Sequence, residues 1–216
     1  MTEQHWLACD ISACLLTLFG SPLSPRKLRL ALCSCLRSPA VWPLLASRSS
    51  RRAVEVGEAF ADGAAGKQEL RSALRCAYGA SRQFPGGKLR AAAALTTYVC
   101  WQDGPLGRYG WLSFASLARW GELAVPADLV RDVHGYFSCK AAPSAAWLTP
   151  TVTALARAAY EERSLPAGTL DVLHLAVLAD ALEEAGCDDP AVVGHLRGPG
   201  PHVRGCHVLD ALLGKD

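Results

Sequence analysis

SPRKLRLALCSCLR, residues 24–37, carries the pattern from which the fold is read. Ser24 offers a side-chain oxygen to the free N–H groups of a helix start, and Pro25 stands in the first turn, where its missing donor does no harm. Leu28, Ala31, Leu32, Cys35 and Leu36 then recur at the i, i+3, i+4, i+7, i+8 spacing of one buried stripe, with Arg26, Arg29, Cys33 and Arg37 off it. The segment reads as an amphipathic helix.

The same spacing recurs at Ala53/Val56/Gly57/Phe60/Ala61, at Leu70/Ala73/Leu74/Ala77/Tyr78 and at Val152/Leu155/Ala156/Ala159/Tyr160. A further stripe, from Thr169 through Leu170, Leu173, Val177, Leu178, Ala181, Leu182 and Ala185, stops at Gly186, a natural left-handed cap. Its polar side carries Asp171, Asp180, Glu183 and Glu184, which read as a solvated, ion-paired face. Ser38-Pro39, Thr149-Pro150 and Asp189-Pro190 repeat the start signal of Ser24-Pro25. Gly198-Pro199-Gly200-Pro201 forces a turn into a last helix over residues 202–213. No alternating stretch is long enough for a strand.

Composition agrees with this reading. The chain has 36 Ala and 32 Leu against 14 Val and a single Ile, so helix formers dominate and strand formers are scarce. The excess of 17 Arg over 5 Lys also suggests a GC-rich coding bias, which raises Ala without structural demand. The expected fold is all-α, a bundle or irregular stack of about nine to twelve amphipathic helices with no significant sheet. It forms one domain over residues 1–216, divisible into a basic half, 1–101, and an acidic half, 111–216. Gln102–Gly110 and Ser164–Gly168 read as connectors, and Trp101, Trp111 and Trp120 as a seal around the first.

The net charge of +2 conceals an asymmetry, since residues 1–108 carry +7 and residues 109–216 carry −5. Such a split suits either a nucleic-acid-facing half or two complementary packing surfaces. Arg48, Arg51, Arg52, Arg71, Arg75 and Arg82 form the basic stripe, but only Phe84 follows closely as a stacking aromatic. Residues 1–20 lack the charged start of a secretory signal, and the uncharged stretches fall short of the roughly 20 residues that span a bilayer. Nine scattered cysteines do not make the paired framework of a small secreted domain, so reduced thiols in the cytoplasm are expected.

One cluster suggests chemistry. Cys187, His195, His202, Cys206 and His207 supply thiolate and imidazole ligands suited to zinc, and on a helix His202 and Cys206 would share a face. The tight Cys-x-x-Cys knuckle is missing, so the alternative is small buried cysteines and histidines near helix ends. Cys33 and Cys35, two apart on a helix, diverge rather than pair. Phosphate loops, dinucleotide fingerprints, nucleophile elbows and His-Glu-x-x-His are all missing, so no catalytic residue is assigned.

Several stretches resemble an uncharacterised multi-copy family of planctomycete proteins. They are TEQHWLAC (2–9), RKLRL (26–30), SRRAVEV (50–56), ADG (61–63), LVRDV (129–133), LADALEEAGC (178–187) and RGPGPHVRGC (197–206), covering about residues 2–66 and 127–216. The resemblance implies a helical fold in a bacterial cytosol and brings no activity with it. The family pattern has Cys where Leu196 stands and Trp where His207 stands, so a metal site common to the family would be weakened here unless His207 substitutes. The expectation is a non-enzymatic interaction or adaptor module with a protein partner and no membrane. The alternatives are a zinc-stabilised domain or metalloenzyme using the C-terminal cluster, and nucleic-acid binding through the Arg-rich half.

Overall fold

The computed structural model describes residues 24–101, 126–135 and 143–215, with the single positions 4, 8 and 123. Among them are nine α-helices: α1 (Pro25–Arg37), α2 (Arg48–Ala61), α3 (Lys67–Ser81), α4 (Gly87–Tyr98), α5 (Ala127–His134), α6 (Pro150–Glu161), α7 (Val172–Glu184), α8 (Pro190–Leu196) and α9 (His207–Leu212). Short 3-10 turns occur at Trp42–Leu44 and Ala145–Trp147. The one sheet among these residues is a two-residue antiparallel ribbon, β1 (Arg163–Ser164) and β2 (Thr169–Leu170), closed by the Pro-Gly turn between them. The all-α expectation holds. None of these helices is long and apolar enough to cross a membrane.

Three of the four Pro-headed starts behave as the local chemistry requires. Ser24, Thr149 and Asp189 each accept a backbone N–H two or three residues on, ahead of Pro25, Pro150 and Pro190. Ser38-Pro39 does the opposite. Proline disfavours helical ψ in the residue before it, and Ser38, with ψ 148°, ends α1 rather than starting a new helix. Two other boundaries move. Thr169 and Leu170 pair in the ribbon, so α7 starts at Val172 with Asp171 as its cap. Residues 202–205 form no helix; Val203 bridges to Thr169, and the last helix begins only at His207.

The apolar side chains gather into two cores. The first takes in α1 to α5, with Leu32, Leu36, Val54, Leu70, Leu95 and Val130 fully buried; the second takes in α6 to α9, with Val152, Tyr160, Leu175, Leu178 and Leu209. The packing therefore divides after α5. The connector expected at residues 102–110 lies outside the described residues, as do Trp111 and Trp120, while Trp101 is half exposed.

Helix α1 corrects the amphipathic reading, because it is buried all round from Leu28 to Arg37. Its leucines 28, 30, 32 and 36 each contribute about 1.5–3 kcal/mol of transfer free energy at most. The arginines expected off the stripe are accommodated inside by partners. Arg29 donates to the carbonyls of Val99 and Trp101, at the end of α4 where the helix dipole is negative, and lies 4.9 Å over the Phe60 ring. Arg37 pairs with Glu58 at 2.6 and 2.9 Å.

Polar side chains also join the cores. Arg26 of α1 reaches Asp62 at 2.9 Å, Asp210 at 2.7 Å and the Tyr160 hydroxyl at 2.6 Å, and Lys27 reaches Asp210 at 2.8 Å. Part of the basic excess of the first half is thus neutralised by the acidic excess of the second.

Candidate metal centre

Where α5, α8 and the loop before α9 meet, four side chains converge. Asp132, His195, His202 and Cys206 present one carboxylate oxygen, two ring nitrogens and one sulfur, all within 4.8 Å of one another. Each arrives by a different local device. Asp132 lies on α5, whose Leu129, Val130 and Val133 are buried in the first core. His195 stands on the last turn of α8. His202 and Cys206 frame the turn that crosses from the ribbon to α9, at the two ends of a segment tied by the Cys206 N–H to the Val203 carbonyl at 2.9 Å.

The contacts are close. His195 Nε2 is 3.2 Å from Asp132 Oδ1 and 3.1 Å from Cys206 Sγ, and His202 Nδ1 is 3.0 Å from the same Oδ1. Outside these atoms lies a supporting layer. His202 Nε2 is 3.2 Å from the Gly198 carbonyl, and the Val203 N–H donates to Asp132 Oδ2 at 2.8 Å. Asp132, His202 and Cys206 are buried, and His195 is only 11% exposed.

Electrostatics follow from the burial. Burial pushes the Asp132 carboxyl up, yet hydrogen bonds from His195 and His202 outweigh it and hold the group below the usual carboxylate range. Burial works against charge on His202, and Asp132 again prevails, raising it. The Cys206 thiol is raised well above its ordinary value by burial and then by Asp132. His207 is pushed down to about 4 by burial and by His195. Its ring packs 4.3 Å from that of His195, and its Nδ1 is 2.9 Å from the Asp132 carbonyl oxygen. Gly135 permits this fit: its φ is +77°, and a Cβ there would lie 2.8 Å from the His207 ring.

Of the five residues singled out in the sequence, three enter the cluster and His207 flanks it. Cys187 does not belong; it is buried in the second core beyond the end of α7, with its thiol raised by burial. The helical pairing expected of His202 and Cys206 is also corrected, because a turn and not a helix face brings them together. Asp132 is missing from that set of five, and its only signal is a carboxylate next to Val133 on a short amphipathic helix.

The remaining candidates lie apart from the cluster. Cys33 and Cys35 are fully buried, and burial raises both thiols. Asp180 and Glu183 pair with Arg197 on the surface. Within the basic stripe, Arg52 is bonded to Glu55 and Glu69, and Arg51 donates to the Leu45 carbonyl. Above the cluster opens a cleft of about 400 Å³ whose walls include Asp132, His195 and His202. Elsewhere, α7 leaves Leu173 71%, Val177 51% and Val172 48% exposed: its buried face is Leu175, Leu178, Ala179 and Leu182, so of the stripe read from the sequence Leu178 and Leu182 are buried on α7 while Leu173 and Val177 face out. No family model, curated protein or solved structure matches this chain.

Proposed function

We propose that the chain is a zinc-stabilised helical module in which Asp132, His195, His202 and Cys206 hold one ion between the two cores. The observation that carries this reading is the mutual spacing of the donors. Zinc bonds of about 2.0–2.3 Å imply tetrahedral edges of roughly 3.3–3.6 Å. The four donors here lie within 4.8 Å of one another, and the closest pairs, at 3.0, 3.1 and 3.2 Å, stand a few tenths of an ångström inside those edges. Hydrogen bonding alone leaves His195 divided, its single Nε2 facing both a carboxylate oxygen and a sulfur, while His202 would sit beside Asp132 as a buried imidazolium, the form that this carboxylate favours. With an ion, His202 would be neutral, offering Nδ1 as the ligand atom and donating Nε2–H to Gly198, the outer hydrogen bond that metal-bound histidines usually make. Four protein ligands in a buried setting favour a structural role.

The protein purified without chelators is expected to carry close to one zinc per chain, and the Cys206→Ser or Asp132→Ala variants much less. Structural sites bind too tightly to be washed empty, so wild-type protein holding below about 0.1 zinc per chain would overturn the reading.

A second reading, an adaptor that binds a protein partner in a bacterial cytosol, is favoured by the α7 face. Val172, Leu173 and Val177 form an apolar patch on an otherwise ion-paired helix. Replacing Leu173 by Asp should release a partner captured by the wild-type chain from native lysate. Identical catches from both proteins remove this face from consideration.

A further inference from the structure

Residues 70–102 include Arg71, Arg75, Arg82, Lys88 and Arg90 and not one aspartate or glutamate. All five cations are exposed, and all lie on one hairpin, α3 and α4 with the turn between them. With 3.6 residues per turn, Arg71, Arg75, Tyr78 and Arg82 follow the i, i+4, i+7, i+11 spacing of a single helical face, turned away from the buried Leu70, Ala73, Ala77 and Ala80. The one carboxylate of α3, Glu69, lies off this face and is held by Arg52 of α2 at 2.8 Å. Among the described residues neither Arg75 nor Arg82 has a carboxylate partner.

Tyr78 decides what this face suits. Spacing assigns it to the buried stripe, but α3 turns Ala77 and Ala80 inward and leaves Tyr78 57% exposed, with the Arg82 guanidinium 5.8 Å from its ring centre. The basic stripe therefore has the stacking aromatic that its sequence lacks nearby. An aromatic ring set in a row of arginines offers a flat surface to a base while the guanidinium groups take the phosphates beside it. The bases of a duplex stack on one another and present no free face to such a ring. A membrane surface calls for a broad apolar face next to the charges, and on this hairpin Leu89 is the only large apolar side chain besides Tyr78 that is exposed.

We propose that the α3 face binds single-stranded nucleic acid, with phosphates on Arg71, Arg75 and Arg82 and one base stacked on Tyr78. Arg90 extends the row: it donates to the Pro85 carbonyl at 3.4 Å, which places it at the same end of the hairpin as Arg82. From Arg71 to Arg82 the row spans roughly 16 Å, room for a few nucleotides. None of these residues belongs to the metal centre, so the inference stands apart from the zinc reading.

Fluorescence anisotropy of a labelled oligothymidylate of about 10 nucleotides, titrated with the full chain, tests it. Binding is expected at about 1–100 µM in low salt, with log K falling against log salt at a slope near −3, or about −0.7 for each of four phosphates. Replacing both Arg75 and Arg82 by Gln should flatten that slope by about 1.4. Arg157→Gln, at an exposed arginine of α6, should leave it unchanged. Tyr78→Ala should weaken binding about tenfold at an unaltered slope, and Tyr78→Phe should restore it. All these positions are exposed, and helical circular dichroism checks that each variant folds. No binding up to about 0.1 mM chain, tighter binding of the duplex made with the complementary strand, or a Tyr78→Ala variant that binds like the wild type overturns the inference. So does binding to phosphatidylserine vesicles by a chain that ignores the oligonucleotide, which would assign the face to a membrane surface.

Discussion

Stripping zinc with a strong chelator is expected to lower the thermal unfolding midpoint by about 8–16 °C. The magnitude comes from linkage. An ion bound only by the folded chain, at a free concentration a thousandfold above its dissociation constant, stabilises it by about 4 kcal/mol. In a protein of this size each kcal/mol shifts the midpoint by roughly 2–4 °C. The loss should not amount to unfolding, because the cores stay joined without the ion. Arg26 and Lys27 still hold Asp210, and Asp132 still accepts from His202 and from the Val203 N–H. Asp132→Ala should lose at least as much, since it removes a ligand and leaves that N–H without its acceptor, and chelator should then add nothing. Scanning calorimetry with and without chelator measures both. A wild-type midpoint unchanged by chelator, in protein shown to contain zinc beforehand, would mean that the ion does not staple the cores.

Why the centre is only partly legible in the sequence follows from how it is assembled. Apolar spacing over residues 25–37, 48–61, 67–81 and 150–161 is enough to place α1, α2, α3 and α6, because a stripe repeating every 3.6 residues lies on one face of a helix and would scatter over both faces of a strand. Helix α4 offers no such stripe: its alanines 91–94 are small enough to pack on any side, and three of them are buried. Side-chain burial on α1 goes further than periodicity allows, since Arg29 and Arg37 enter the core only because carbonyls and a carboxylate from α4 and α2 await them. The centre has the same character. Cysteine and histidine are conspicuous by type, so His195, His202 and Cys206 stand out, but so does Cys187, whose burial elsewhere has no sequence signature. Asp132 is the converse, an ordinary residue made special by the packing of α5 against α1 and α9. Its partners come from residues 195–206, far along the chain, and no local spacing encodes that meeting.

The second joint between the cores should be as costly to break as the first. Glu58 on α2 is 4% exposed and holds two guanidinium groups, Arg37 at 2.6 and 2.9 Å and Arg163, from the ribbon of the second core, at 3.1 Å. Arg37 also donates to the Pro166 carbonyl at 2.9 Å, so the carboxylate fixes α1, α2 and the ribbon together. Burial works against the Arg37 charge, and Glu58 more than restores it. Glu58→Gln should therefore cost about 3–5 kcal/mol, because two arginines remain charged in a dry setting with their shared counter-charge gone. That corresponds to a fall of roughly 6–20 °C in the midpoint. A surface control separates this effect from charge removal in general. Arg52 pairs with Glu55 and Glu69 on the outside of the same helix with a side chain 60% exposed, and Arg52→Gln should cost about 0–1 kcal/mol. Urea denaturation of the two variants beside the wild type decides the matter. If Glu58→Gln costs no more than Arg52→Gln, water reaches the buried pair and the ribbon is not anchored through it.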